Sequence, residues 1–470
     1  MTHPPASRTG WGDLLAEGRL SRFALICLGV WLNAVDALVT ATIMPSVGTD
    51  LGGYAYFSWA VASYLVGANL AGASAGRLSE IFGLRRASAL AGLVCVAGCI
   101  LSAAAPNIAV FLIGRLLQGM SCGWISGFSM VAIALLFPER HLARVFAAVS
   151  GVWGVATVLG PLVGGVFAEA GTWRGVFWLF AGQAALFSIA ALWLLRGSDR
   201  PAGGSEVPWT QLAVLSVGVG AIAAADVIPR VWAALTLVAV GIAILALVLR
   251  LDARARVRLL PHQAGDLRTV VGSGYAAMFW MTAASMGFAI YGPPILQTLR
   301  GMSPLQAGYV IGVESIAWTV AALGVASASE KWDAFWVRVG AVCLVLSLVL
   351  LSWAMSDGPL AWVLAGGALL GAAFGFSWSF MTRRIMAALS DEERALGTSA
   401  TNAIRQTGAS AGAAISGAAA NLVGLSAGLT AQSAREAAVW VFASVIPLAL
   451  VGAWAAFRLT GSATRVARPA

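Results

Sequence analysis

Apolar runs of about 20 residues recur along the chain, each separated from the next by a short polar stretch. They lie at 23–45, 57–76, 86–105, 108–136, 145–168, 174–195, 210–228, 231–250, 270–291, 306–328, 338–355, 360–382, 397–424 and 437–457. Roughly 20 apolar residues are what a helix needs to cross a hydrocarbon core of about 30 Å. Strands of a membrane barrel would instead show segments of about 10 residues with alternating polarity. Because a helix satisfies its own backbone in lipid, the pattern predicts fourteen transmembrane helices and an all-α polytopic membrane protein. The pair at 210–228 and 231–250 is joined only by a tight turn at Ile228-Pro229-Arg230. Residues 1–22 are polar, with Arg8, Arg19 and Arg22, and no cleavable signal sequence is expected there.

Composition agrees with this reading. Of 470 residues, 59% are hydrophobic and 10% charged, and the mean hydropathy is +0.85. Soluble domains carry about 25% charged residues, so a water-facing surface is excluded. The net charge of +9 would in another context suggest nucleic acid, but here it has a topological origin. With the N-terminus placed in the cytoplasm, only Arg174, Arg230, Arg300 and Arg435 fall outside, and Arg115 and Arg405 fall within helices. The other 23 of the 29 basic residues lie inside, which sets both termini in the cytoplasm of a multi-pass protein of the inner (plasma) membrane.

The chain divides into a cytoplasmic segment (1–22), a six-helix half (23–200), a two-helix insert (201–250), a basic linker (251–269), a second six-helix half (270–458) and a tail (459–470). Repeated halves around a central pathway are a common transporter design. The polar loop GRLSEIFGLRR after the second run has a faint counterpart, ASASEKWDAFWVRV, in the second half. The cysteines (Cys27, Cys95, Cys99, Cys122, Cys343) have no metal or disulfide spacing and read as packing residues. His3, His141 and His262 fall in cytoplasmic segments. With no phosphate-binding loop and no catalytic triad pattern, the chain is expected to be neither an enzyme nor an ATP-driven pump, and to need no metal or other cofactor.

With so little charge, the residues left at depth are few. Asp36 lies nine residues from Pro45 and Arg115 seven from the start of its run, roughly 13 and 10 Å deep at 1.5 Å per residue. Antiparallel helices can bring the two together, either as a proton-coupling pair or as a permanent structural one. Glu314, roughly 15 Å deep, reads as a second proton site, as a counter-charge for a cationic substrate, or as a protonated acid bonded to a neighbour. Arg405 either binds an acceptor across the half-interface or reaches toward the cytoplasm. Asp226 and Arg230, spaced i,i+4 at a membrane edge, predict a surface pair with no transport role. Trp31, Trp59, Trp173, Trp209, Trp232, Trp353, Trp362 and Trp440 read as interfacial anchors. Trp124, Trp280, Trp318 and Trp378 lie deeper, where they line a substrate cavity or face lipid; Tyr64, Gln118, Tyr291 and Asn402 are candidate polar contacts.

Four segments resemble the major facilitator superfamily, and within it the fourteen-helix drug:proton antiporter branch. LNAVDALVTATIMP is similar to that branch's acidic motif, with Asp36 at the acidic position and Pro45 closing it. In GRLSEIFGLRR, Gly76, Leu78, Gly83 and Arg85 match the family's loop signature, and Glu80 stands where Asp is usual. RLLQGM resembles the intramembrane arginine motif at Arg115, Gln118 and Gly119. GVATVLGPLVGG resembles the antiporter signature at Gly154, Gly160, Pro161, Gly164 and Gly165. TWRGVFWLF and NAIRQTGASAG extend the likeness. The resemblance implies a monomeric exporter of lipophilic or amphipathic molecules, driven by the proton gradient through alternating access, with the Gly76–Arg85 loop as a cytoplasmic latch. A lipid or glycolipid translocase and a small-metabolite symporter are the alternatives on the same fold.

Overall fold

The computed structural model describes residues 19–137, 139–197, 206–228, 230–390 and 392–461; Arg8, Arg200, Arg465, Arg468, His3 and Pro229 lie outside them. Fourteen α-helices and three short 3-10 turns make up the described residues, and no strand is found among them. In chain order the helices are α1 (Arg19–Leu51), α2 (Phe57–Ala103), α3 (Ile108–Leu136), α4 (Glu139–Glu169), α5 (Arg174–Leu194), α6 (Trp209–Ala225) and α7 (Val231–Arg254). They continue as α8 (Val270–Arg300), α9 (Pro304–Val325), α10 (Asp333–Ala354), α11 (Leu360–Ala388), α12 (Arg394–Leu422), α13 (Ala431–Ala443) and α14 (Ile446–Gly461).

All fourteen apolar runs are helical, but two boundaries differ from expectation. The second and third runs form one continuous element, α2, broken only at Gly83, where φ is 76°. A residue without Cβ adopts that left-handed backbone without penalty, so Gly83 supplies the bend between two spans. The last run is divided between α13 and α14, and Pro447 sits in the first turn of α14, where its missing N–H costs nothing. Starts are specified locally: the Asn107 side chain accepts from Val110 N–H, and Ser303 and Gln306 form a capping box with Pro304 at N1.

Ten stretches among the described residues are long and apolar enough to cross a membrane. The exceptions teach something. Helix α12 is rich in Ala, Gly, Ser and Thr, and α8 in Gly, Ser and Tyr; both are packed within the bundle, where a lipid-facing composition is not needed. By contrast α7, with a mean hydropathy of 2.7, is mostly exposed, as lipid contact demands.

Helices α1–α5 pack among themselves, as do α8–α14, and α6 lies against both α2 and α12 with α7 on its outer side. The two groups meet at the end of the bundle carrying Asp50. There Gly308 of α9 sits against Pro161 of α4, and Gly165 of α4 against Leu305 of α9. The short turns Tyr54–Tyr56 and Leu425–Ala427 touch at the same end.

Candidate functional site

The site is built on a seam of glycines between α2 and α3. A Cβ added at Gly119 would lie 1.9 Å from the Tyr64 carbonyl oxygen, and one at Gly123 would lie 2.3 Å from that of Ala68. Gly67 and Gly98 make similar backbone approaches to α3. Helices this close bring Arg115, one turn before Gly119, into the interior, where it is 2% exposed. Its guanidinium meets Asp36 of α1 in a two-pronged pair, Nη1 to Oδ1 at 2.7 Å and Nη2 to Oδ2 at 2.9 Å. Two more of its donors are used: Nε donates to the Ala60 carbonyl at 3.2 Å, and Nη1 also donates to Gln118 Oε1. Gln118 in turn donates to Ser102 Oγ at 2.9 Å. The Tyr64 ring lies 4.7 Å from the guanidinium carbon, and its hydroxyl donates to Asn33 Oδ1 at 2.8 Å. Forked pairing with four of the five N–H donors engaged is the kind of arrangement that makes a buried ion pair tolerable.

Pro45 does not close its helix. Helix α1 continues through it to Leu51, with Thr49 Oγ1 donating to the Pro45 carbonyl at 2.9 Å, so Asp36 is roughly 22 Å from that helix end rather than 13 Å. The two charges meet nonetheless.

Helix α4 carries the segment GVATVLGPLVGG. Gly160 and Gly164 admit Leu38, Val39 and Thr42 of α1, while Gly165 and Pro161 face α9. These residues weld three helices at the Asp50 end. Gly154 is different: a Cβ there would meet nothing within 4 Å. Gly76 is likewise open and helical, so of the two loop glycines only Gly83 makes the turn. Glu80 pairs with Arg77 on its own helix at 3.5 Å.

The second group differs. Glu314 of α9 is half-buried and makes no hydrogen bond or ion pair with the described residues. Trp318 stacks on Phe374 with centroids 5.0 Å apart, and Trp378 joins them at 6.2 Å from Trp318. Trp280 packs edge-on to Phe279, and Trp124 donates to Ser74 Oγ at 2.9 Å. Arg405 is half-buried, its guanidinium donating to Asn402 Oδ1 at 3.2 Å. Tyr64, Gln118 and Tyr291 are packed inside the protein. A cleft of about 500 Å3 lies instead between α1 and α4, lined by Cys27, Leu28, Trp31, Ala148, Gly151, Val152 and Val155. None of the residues expected to line a cavity lies on it.

Two expectations are overturned. Asp226 does not pair with Arg230 on the surface: it is 1% exposed, accepts from Ser58 Oγ, and accepts from Asn421 Nδ2 at 2.7 Å, whereas Arg230 is exposed. The i,i+4 rule holds only within a helix, and α6 ends at Ala225. Trp173 is not an interfacial anchor but is 4% exposed, packed on Phe111 and Phe177 and donating to Asp50 Oδ2 at 3.2 Å. Trp209, Trp232, Trp353, Trp362 and Trp440 are exposed. Sequence reasoning also missed the Arg383–Asp333 pair between α11 and α10, whose acid belongs to the faint loop counterpart.

A model of the Major Facilitator Superfamily matches residues 26–413. A Mycobacterium tuberculosis protein described as a "probable multidrug-efflux transporter" is 28% identical over 484 residues, covering 98% of this chain and 99% of its own. A multidrug transporter of Bacillus subtilis is 23% identical, covering 86% and 76%. Among solved structures, a D-xylose–proton symporter aligns with a TM-score of 0.66 at 17% identity, covering 95% of this chain and all of its own. A nucleoside transporter aligns with a TM-score of 0.68 at 13% identity, covering 94% and 100%.

Proposed function

Since the chain belongs to the Major Facilitator Superfamily and is a multi-pass membrane transporter rather than an enzyme, we propose that it is a proton-coupled exporter of lipophilic or amphipathic molecules, of the fourteen-helix antiporter branch. In this reading the Asp50 end faces outward, both termini are cytoplasmic, α6 and α7 are an insert between two six-helix halves, and the membrane is the inner one. The observation that carries it is the buried Asp36–Arg115 pair. Asp36 ionised is matched by Arg115; Asp36 protonated leaves a cation without its counter-charge, so the packing of α1 against α2 and α3 must answer to the proton. Helix α1 is also the helix that Gly160 and Gly164 of α4 hold, and α4 touches α9 of the other half. A proton event at Asp36 thereby reaches the contact between halves. The multidrug relatives support efflux, and the largely apolar cleft between α1 and α4 supports a lipophilic substrate.

Reconstitution in vesicles with an imposed proton gradient tests this. A lipophilic cationic dye should dissipate the gradient with the wild type, and Asp36→Asn should abolish that while leaving a monodisperse, folded protein. Undiminished exchange in D36N, or movement of labelled phospholipid with no response to dye, would overturn the reading.

A further inference from the structure

A second buried carboxylate stands outside the arrangement just described. Asp226 follows the last residue of α6 and is sealed among three other helices. From α2, Ser58 donates to Oδ2; from α12, Asn421 Nδ2 donates to Oδ1 at 2.7 Å. The same amide nitrogen lies 2.9 Å from the Asp226 carbonyl and 2.8 Å from that of Ala55. Gly417 of α12 makes the approach possible, because a Cβ there would lie 2.5 Å from the carboxylate. From α8, Tyr291 faces Asp226 with a buried hydroxyl that also lies beside Ser58.

Among the described residues, no cation reaches this carboxylate. The side chains turned to it by α2 and α12 are uncharged, the ionisable neighbour on α8 is a tyrosine, and Arg230, the nearest base along its own segment, is exposed. An ionised carboxylate shut away from water with only a hydroxyl and an amide is poorly compensated, whereas a protonated one is neutral and can donate to Ser58 or Tyr291. The location matters as much as the chemistry. Ser58 belongs to the first helix group, Asn421 and Tyr291 to the second, and Asp226 to the α6–α7 pair, all at the end where the groups meet.

We propose that Asp226 is a proton-binding site, separate from the Asp36–Arg115 pair, whose loading with a proton is the condition for closing the Asp50 end. When that end opens, Ser58 and Asn421 part, water reaches the carboxylate and it ionises. Re-closure requires a proton to be taken up from that side. The step is the reversible addition of one proton to one carboxylate oxygen, with no other bond made or broken. The inference rests on the proposed topology, in which this end faces outward, but not on the substrate or on the role of Asp36.

Two measurements without substrate or gradient test it. Infrared titration of the wild type should show the C=O stretch of a protonated, water-excluded acid near neutral pH. That band should be missing in Asp226→Asn, retained in Asp36→Asn, and displaced along the pH axis in Ser58→Ala, which keeps the carboxylate and removes one donor. An identical band in D226N, or its absence from the wild type, overturns the proposal. At one fixed alkaline pH, amides of the turns Tyr54–Tyr56 and Leu425–Ala427 should exchange several-fold faster in the wild type than in D226N, whose neutral side chain mimics the loaded state. Equal exchange rates overturn it. Because neither readout involves transport, loss of the dye response in D36N bears on the coupling role alone.

Discussion

The same seam occurs twice in this molecule, with different chemistry on it. In the first group, Gly119 and Gly123 of α3 press on the carbonyls of Tyr64 and Ala68 of α2. In the second, Gly371 and Gly375 of α11 press on those of Glu314 and Trp318 of α9, at 1.9 and 2.5 Å from a would-be Cβ. One turn before the leading glycine the first group has Arg115, and the second has Gly367, whose space is filled by the Phe288 ring. Glu314 thus stands where the first group has Tyr64. The backbone is repeated and the charges are not: a satisfied ion pair on one side, an acid without a partner among the described residues on the other. The seam supplies rigidity in both groups, and the residues beside it divide the roles.

The largest expected effect comes from breaking the charged version. Arg115→Ala leaves Asp36 buried and unpaired, which costs about 3–5 kcal/mol. The melting temperature in detergent should fall sharply, and the double variant with Asp36→Asn should recover a good part of it. Glu314→Gln has no comparable partner to abandon and should change stability by less than about 1 kcal/mol. A Glu314→Gln as damaging as R115A would mean that the second seam carries a pairing too.

Next come the glycines themselves. Gly119→Ala and Gly371→Ala each set a methyl 1.9 Å from a carbonyl oxygen of the facing helix, and a backbone cannot swing aside as a flexible side chain can. Each should cost about 1–3 kcal/mol, by similar amounts if the seams are equivalent. Their functional effects should differ, because only G119A displaces the helix that carries Arg115. Gly154→Ala and Gly76→Ala, where a Cβ meets nothing, serve as controls expected to be silent in thermal unfolding.

How much of this was legible beforehand follows from the physics of each feature. The helices were, because runs of apolar residues of membrane-spanning length leave no other fold. The Asp36–Arg115 contact was within reach, because two opposite charges at depth on neighbouring helices have little else to bind. The glycine seams were hidden: GMSCG and GAAFG look like ordinary small-residue packing until the carbonyl opposite each is known. Asp226 was visible as an acid at a helix end and was misjudged, since i,i+4 spacing says nothing about three helices from distant parts of the chain closing over it. Trp173 was misjudged for a similar reason: position near a span end does not reveal whether a neighbouring helix covers the ring.

The smallest effect concerns how the second group is tied to the linker that precedes it. His262 donates its backbone N–H to Glu393 Oε1 at 3.0 Å, and its ring nitrogen Nδ1 lies 2.8 Å from the same oxygen, just before α12 begins. The backbone bond, with the ring contact adding to it, holds the Glu393 carboxyl below its usual range. A carboxyl depressed in the folded state contributes stability that is present above its unfolded value, about 4.3, and that is lost as the pH falls through the lower folded value. Glu393→Gln should therefore melt slightly below the wild type at pH 6, and the gap should close as the pH is lowered below 4. The pair is partly exposed and screened by salt, so a shift of only a degree or so is expected. A gap that persists unchanged at acid pH would show that the contact acts through packing and not through charge. In that case proton-dependent behaviour would rest on carboxylates held away from the surface, among them Asp36 and Glu314, on which the contrast between the two groups already turns.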